Sequence, residues 1–285
     1  FSDDNQYNRW IRDILIDNVT VTGAGYEGIR ITMGDESSRN VTILNSTVTG
    51  SSGHGIYLSA RGAVRLENNI ITNNGFSGGD NSYYGLYLVN ASITSLILNN
   101  NTIENNRNGI YLRYVNNILL PATNAIRNNG GYVYSLNNMN NVTIKDTSFD
   151  NSIRSYSRAI SISSVNDFST ENLTIANPSD TAIYLSGTNT NITLRNLTIQ
   201  NPTNLGIYFD RYSSTTNVTI ENVTISNSGR SSICKRYNSI INGITIRDVT
   251  ITSPSYKGID FSDDNQYNRW IRDILIDNVT VTGAG

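Results

Sequence analysis

Apolar and polar residues alternate along this chain with a period of two, in short bursts that can be read one above another. The bursts are DILIDNVTV (13–21), NVTILNSTV (40–48), AVRLENNII (63–71), SLILNNNTI (95–103), NVTIKDTSF (141–149), DFSTENLTI (167–175), NITLRNLTI (191–199), NVTIENVTI (217–225) and GITIRDVTI (243–251). In NVTILNSTV, Val41, Ile43 and Val48 point one way and Thr42 and Thr47 the other, which is the signature of strands and not of helices. β-branched residues suit a pleated surface, and the Asn, Gly, Ser and Asp between the bursts supply turn chemistry. A turn-rich stretch and a shorter strand follow each burst: GIRI (28–31), GIYL (55–58), GLYL (85–88), GIYL (109–112), AISI (159–162), AIYL (182–185), GIYF (206–209), SICK (232–235) and GIDF (258–261). Pro121 interrupts a weaker rung near 118–134.

The short strand is taken as the first of each rung, and the two halves of the burst as the second and third. Ile14, Val41, Val64, Leu96, Ile118, Val142, Phe168, Ile192, Val218, Ile244 and Ile274 mark ten intervals over 260 residues, a mean of 26. Three short strands in each such interval describe one coil of a solenoid. A lone coil cannot repay the ~1–2 kcal/mol per residue of backbone entropy that ordering costs. Stability therefore resides in the interfaces between stacked coils. A second, longer period overlies the first: residues 261–285 repeat residues 1–25 letter for letter. The expectation is one continuous solenoid over 1–285, with 1–260 a full period and 261–285 the start of the next, cut from a tandem array. An end that equals its beginning can continue end to end with identical repeats.

The recurring [ND]-h-T-I-x-N-h-T-I and G-I-Y-L motifs (h apolar) resemble the right-handed parallel β-helix superfamily of pectate lyases, polygalacturonases, phage tailspikes and bacterial and archaeal surface proteins. The resemblance implies an all-β, right-handed parallel β-helix (β-solenoid) of about ten coils per 260-residue period plus one overlapping coil. It also implies an internal asparagine ladder at the bend between the second and third strands. The column there reads Asn18, Asn45, Asn68, Asn100, Asp146, Asn172, Asn196, Asn222, Asp248 and Asn278, with a departure near Ala122. Asn tolerates the left-handed corner conformation, and its amide can donate and accept between coils.

Composition narrows the partners. Charged residues make up 15% and the formal net charge is −2, so there is no basic footprint for nucleic acid. No apolar run approaches the ~18 residues of a membrane span. The chain starts at Phe1 without a signal-peptide pattern and is expected to be a mature or excised piece. One cysteine, Cys234, leaves no intrachain disulfide and no cysteine-based metal site. Lysine occurs only at 145, 235 and 257. The profile suits a secreted, extracellular or cell-surface protein, with no cofactor and no metal ligand assigned.

Polygalacturonase-like members of the superfamily keep acidic motifs and a Gly-His-Gly beside the first strand, and Gly53-His54-Gly55 stands at the similar place here. Its partners are missing. In the column before the first strand only Glu27 is acidic, and Asp3-Asp4, repeated as Asp263-Asp264, follows a first strand instead of preceding it. Glycoside hydrolysis needs two carboxyl groups ~5–9.5 Å apart. No catalytic residue is assigned, and His54 reads as a turn residue. Tyr57, Tyr87 and Tyr111, and later Tyr184 and Tyr208, fall at the outward position of the first strand, predicting an exposed aromatic ladder for sugar binding, lateral self-association or plain cross-strand support. Twelve Asn-x-Ser/Thr sequons occur; Asn40, Asn90, Asn141, Asn191 and Asn217 are the candidates for glycans, because the others fall in the expected internal ladder or repeat it. Cys234 takes the tyrosine position of its rung. Together these features predict a non-catalytic repeat unit of an extracellular β-solenoid fibre, a filament, sheath or adhesin stalk. The alternative is a polysaccharide-processing or carbohydrate-binding β-helix such as a lyase, glycoside hydrolase or tailspike.

Overall fold

Among the described residues 29 non-glycine residues have left-handed φ, of which 20 are Asn and five are Asp, so the corners of this fold are written in the two residue types that best tolerate that conformation. In the computed structural model, which describes residues 13–33, 40–76, 82–90, 93–121, 123–150, 158–262 and 271–284, these corners join parallel strands into an all-β solenoid of about nine turns. No helix occurs among the described residues. Ala122 and the acidic pairs Asp3-Asp4 and Asp263-Asp264 lie outside them. The chain divides into two units, up to Tyr134 and from Ser135 onward.

In the first unit three parallel sheets surround the core. The first holds Ile29–Thr32, Ile56–Ser59, Leu86–Val89 and Ile110–Arg113, in register Ile29, Ile56, Leu86, Ile110. The second runs through Ile14, Val41, Val64 and Leu96, the spacing expected from sequence. Thr20–Thr22, Thr47–Thr49, Ile70–Thr72, Thr102–Glu104 and Ala125–Arg127 form the third. Alternate residues point inward, and Ile31, Leu58, Leu88, Val48 and Ile71 are fully buried.

Two files of buried side-chain amides run through this unit. Asn69, Asn101 and Asn124 make one, Asn74, Asn106 and Asn129 the other. Each inner amide donates to a backbone carbonyl of the coil before it and, except in Asn124 and Asn129 at the ends of the files, to the next Asn Oδ1, as Asn101 does to Leu66 O at 2.8 Å and Asn124 Oδ1 at 3.0 Å. The same Oδ1 also takes the backbone N–H of the previous Asn, so each corner satisfies polar groups that no sheet can reach.

These files correct the expected ladder. Asn18, Asn45, Asn68, Asn100, Asp146, Asn172, Asn196, Asn222, Asp248 and Asn278 all have left-handed φ near +50°, but none is buried. At this bend the left-handed residue turns its own side chain outward and hands the inward position to the residue after it. The outer column makes a weaker ladder of its own, with Asn68 Nδ2 3.3 Å from Asn45 Oδ1 and Asn222 Nδ2 2.8 Å from Asn196 Oδ1.

The buried files also account for a glycine before the first strand. A Cβ on Gly85 would stand 2.7 Å from Asn106 Nδ2 and 2.9 Å from Ile103 Cγ2, so the strand can lie against the amide file only without a side chain there.

The second unit turns the two corresponding corners without buried asparagines; its one fully buried asparagine among the described residues, Asn189, stands at a different bend, where its Oδ1 accepts the Val165 N–H at 3.0 Å. Its left-handed residues recur every five positions, as in Asn191, Asn196, Asn201 and Asn217, Asn222, Asn227. Where the first unit has its inner amides, this one has Leu173, Leu197, Val223 and Val249 at one bend and Pro178, Pro202, Ser228 and Pro254 at the next, all buried. Proline has no N–H, so a corner closed by Pro needs no acceptor above it. Strands Ile160–Ala176, Thr188–Gln200, Ser214–Ser226, Ile240–Thr252 and Ile271–Thr282 run through these tighter bends, with Phe168, Ile192, Val218, Ile244 and Ile274 in register. On their outer face charges alternate coil by coil through Lys145, Glu171, Arg195, Glu221, Arg247 and Asp277.

Candidate functional site

The outward position of the first sheet in the first unit carries Arg30, Tyr57, Tyr87 and Tyr111 in register. Tyr57 and Tyr87 stack at 5.2 Å and 10°, and Tyr87 and Tyr111 at 4.5 Å and 4°. The Arg30 guanidinium lies over the Tyr57 ring at 4.8 Å. Because the rings face one another, the ladder is half-buried and shows solvent its edges and phenol groups. Burial, and then the neighbouring phenol, push the Tyr87 and Tyr111 hydroxyls upward, so both remain protonated donors.

His54 lies in the turn before the strand Ile56–Ser59. It is buried, with Tyr87 4.4 Å, Tyr83 5.3 Å and Tyr57 5.8 Å from its ring. Its Nδ1 accepts the Tyr84 N–H at 3.0 Å, which leaves Nε2 as the protonated nitrogen of the neutral ring. Glu27, also beside this face, is half-buried and 3.4 Å from Arg30. The close approach of Gly55 to the inner amides sets the height at which this histidine and its tyrosines emerge: a Cβ there would meet Asn74 Nδ2 at 2.8 Å.

In the second unit the same column reads Ser161, Tyr184, Tyr208, Cys234, Asp260. Here the expected exposed ladder fails. Tyr184 and Tyr208 are each only 8% exposed, tilted 48° to one another and packed with Cys234 and Leu205. Tyr184 is covered by Arg158, whose guanidinium lies over its ring at 3.4 Å, and Tyr208 packs with Tyr184, Cys234 and Leu205. The Tyr184 hydroxyl donates to Asp210. Burial pushes the Tyr208 phenol up to about 12 and the Cys234 thiol likewise up to about 12. A buried, protonated thiol is no site for cross-linking.

Three carboxylates that sequence reading passed over border this second face. Asp180 is 4.0 Å from Arg158 and accepts from Asn204 at 2.9 Å. Asp210 takes the Tyr184 hydroxyl. Burial works against a charged Asp260, but hydrogen bonds from Ser262 and Lys257 outweigh it and hold the carboxyl below the usual range. Asp210 follows its strand and Asp260 occupies the tyrosine column itself, so a search of the preceding column alone could not find them. The visible signal was the GIYFD and GIDF segments, where an acid directly ends or replaces the aromatic position. Among the described residues no cluster of three His, Cys, Asp or Glu gathers as a metal site.

The candidate glycan acceptors Asn40, Asn141, Asn191 and Asn217 are exposed and Asn90 is half-buried. Burial does not set them apart from the sequons of the outer column, which are equally accessible. Both sets are tied into amide ladders: Asn217 Nδ2 is 3.1 Å from Asn191 Oδ1, and Asn191 Nδ2 is 2.7 Å from Asp167 Oδ1.

No curated protein matches this chain. Among solved structures, it is similar to the catalytic domain of a GH87 α-1,3-glucanase in complex with nigerose, at 13% identity and a TM-score of 0.52, over 94% of this chain and 64% of that one. The catalytic unit of the GH87 α-1,3-glucanase from Streptomyces thermodiastaticus strain HF3-3 matches at 12% identity over 95% and 64%, with a TM-score of 0.41. The endo-xylogalacturonan hydrolase from Aspergillus tubingensis matches at 12% over 92% and 85%, with a TM-score of 0.25. The chain thus spans less than two thirds of the length of the two glucanases. The first of these likenesses corrects the expectation that this fold marks a non-catalytic structural fibre: there it forms the catalytic domain of an α-1,3-glucanase. The model of the right-handed β-helix region matches residues 31–199 and again 123–281, and the chain belongs to that family.

Proposed function

We propose that the chain is a polysaccharide-processing β-helix that receives its glycan on the outer face of the first-strand sheet. One observation carries this reading: three phenols, those of Tyr57, Tyr87 and Tyr111, stand in register on successive coils beside Arg30 and the buried His54. Coils repeat at ~4.8 Å, so the phenols form a straight row of donors and acceptors along which sugar hydroxyls can exchange water for protein hydrogen bonds. The ring edges supply the apolar part of the contact. Stacking costs the tyrosines little further entropy on binding, because their side chains are already fixed by one another. Hydrolysis as the reaction class is supported within the first unit by the Glu27 carboxylate beside the tyrosine row and, separately, within the second unit by Asp210 and Asp260 beside the corresponding strands. The weakly charged composition with one cysteine agrees with a secreted protein acting outside the cell.

The test is incubation of the chain with α-1,3-glucan, xylan, dextran and polygalacturonate, measuring new reducing ends. Release from at least one polymer, with binding weakened in Tyr87→Ala and turnover lost in Glu27→Gln, is expected. If every polymer is left intact and unbound, the reading fails.

A further inference from the structure

Two turns in the second unit hold guanidinium groups that carboxylates do not neutralise. After the first strands Ile207–Phe209 and Ile233–Lys235 the chain reads Asp210-Arg211-Tyr212-Ser213 and Arg236-Tyr237-Asn238-Ser239. Each turn is closed in the same way. Ser213 Oγ donates to Asp210 O at 2.6 Å and Ser239 Oγ to Arg236 O at 2.7 Å. The Ile240 N–H donates to Ser213 O at 2.8 Å, so the turns stack one coil apart.

Arg211 lies 5.0 Å from the Tyr212 ring and 5.2 Å from the Tyr237 ring, and its Nη1 donates to the Tyr237 hydroxyl. Arg236 lies 5.4 Å from the same Tyr237 ring. Six other arginines, at 30, 65, 127, 158, 195 and 247, sit within 4.0 Å of a carboxylate. Among the described residues Arg211 and Arg236 have no such partner, and the neighbouring Asp210 is engaged by the Tyr184 hydroxyl. Tyr212 carries the second observation. It holds φ at +63°, a strained conformation for a bulky side chain, and remains 57% exposed. The equivalent Asn238, at +62°, is the residue type such a turn prefers. Strain of this kind persists where surrounding structure enforces it, and it gathers at ligand sites. The first unit contains the same device by itself: Tyr114 at φ +60°, with Arg113 4.5 Å over its ring and 2.8 Å from its hydroxyl, and an Arg113 Nε that is buried without a hydrogen-bond partner.

From this we infer that Arg211 and Arg236, laid on Tyr212 and Tyr237, form a clamp for the acid groups of an anionic polysaccharide, whether uronate carboxylate or sulfate ester. The inference rests on the polysaccharide reading above and specifies its substrate class. A guanidinium fixed by a phenol presents its remaining N–H groups as a planar fork that matches a carboxylate or sulfate in two-point geometry. The exposed Tyr212 ring lies beside it for the sugar. Single-stranded nucleic acid offers a similar pairing of anion and ring, but the formal net charge of −2 works against a polyanion of that charge density.

The test measures binding of the full chain to polygalacturonate, dextran sulfate, neutral dextran and single-stranded DNA, at low and physiological salt. The variants are Arg211→Gln/Arg236→Gln and a control, Arg195→Gln/Arg247→Gln, which removes the same charge from another face. Expected is binding to polygalacturonate or dextran sulfate, the preferred polymer naming the acid group, weakened about ten-fold for each guanidinium lost and little changed in the control. Equal losses in both double variants, equal binding of neutral dextran, or preference for DNA would overturn the clamp. If a neutral glucan is cleaved and acidic polymers bind independently of Arg211 and Arg236, the clamp alone falls. If no polysaccharide binds, the polysaccharide reading falls with it.

Discussion

The Oδ1 atom of Asn101 accepts two hydrogen bonds from Asn69, one from its backbone N–H at 3.1 Å and one from its side-chain amide at 2.9 Å. Asn69 Nδ2 also reaches Ile43 O at 2.9 Å, and its own Oδ1 takes the Ser46 N–H at 3.0 Å. Asn69→Ala should therefore orphan several buried polar groups and cost about 3 kcal/mol or more. Asn68→Gly, one residue away, keeps the left-handed corner and loses only an exposed contact, costing under about 1 kcal/mol. Denaturant titration of the two variants checks this; equal losses would refute the inner file.

Gly85→Ala places a methyl group against Asn106 Nδ2 and Ile103 Cγ2 at under 3 Å. Backbone movement to relieve it should destabilise the first unit by about 1–3 kcal/mol, seen as a lower unfolding midpoint. A midpoint at the wild-type value would mean that the strand does not lie against the amide file.

Burial raises the phenols of Tyr87, Tyr111 and Tyr208 in the folded state. Their neutral form is favoured by folding, so this contribution is complete below the ordinary phenol value of ~10 and is lost as pH rises through the folded values. Ultraviolet titration should show a group of tyrosines that ionise late, together with loss of β-sheet circular dichroism. Smooth ionisation of all tyrosines near pH ~10 with structure intact would contradict their burial.

Cys234 is 7% exposed and its thiol is held protonated by burial. A soluble maleimide or disulfide reagent at mildly alkaline pH should leave the native chain unlabelled and label it fully after denaturation. Prompt native labelling would place the thiol outside the Tyr184–Tyr208 packing.

Arg247 is 3.9 Å from Glu221 and 3.4 Å from Asp277, on the coils either side of it. Arg247→Glu sets three acids on consecutive coils and should cost about 1–2 kcal/mol at low salt, with most of the loss recovered as salt screens the repulsion. A salt-independent loss would point to packing in place of charge.

Strand positions, their register and the left-handed corners were legible in the letters, because period-two alternation and the tolerance of Asn for positive φ are properties of a few consecutive residues. The Asn-Asn doublets at 68–69, 73–74, 100–101, 105–106 and 128–129 even recorded that two asparagines share each corner. The letters did not say which member faces inward. That depends on how the left-handed residue rotates the strand after it, and the consequence is visible only when Asn101 of one coil meets Asn69 of another. The tyrosines divide in the same way. Their column followed from alternation, but whether a ring stands in solvent or beneath Arg158 was decided by a residue 26 positions from Tyr184. Sequence fixes what each residue can do with its near neighbours along the chain; exposure, pairing of charge and the choice of inner amide belong to contacts between coils, which exist only once the chain has wound back upon itself.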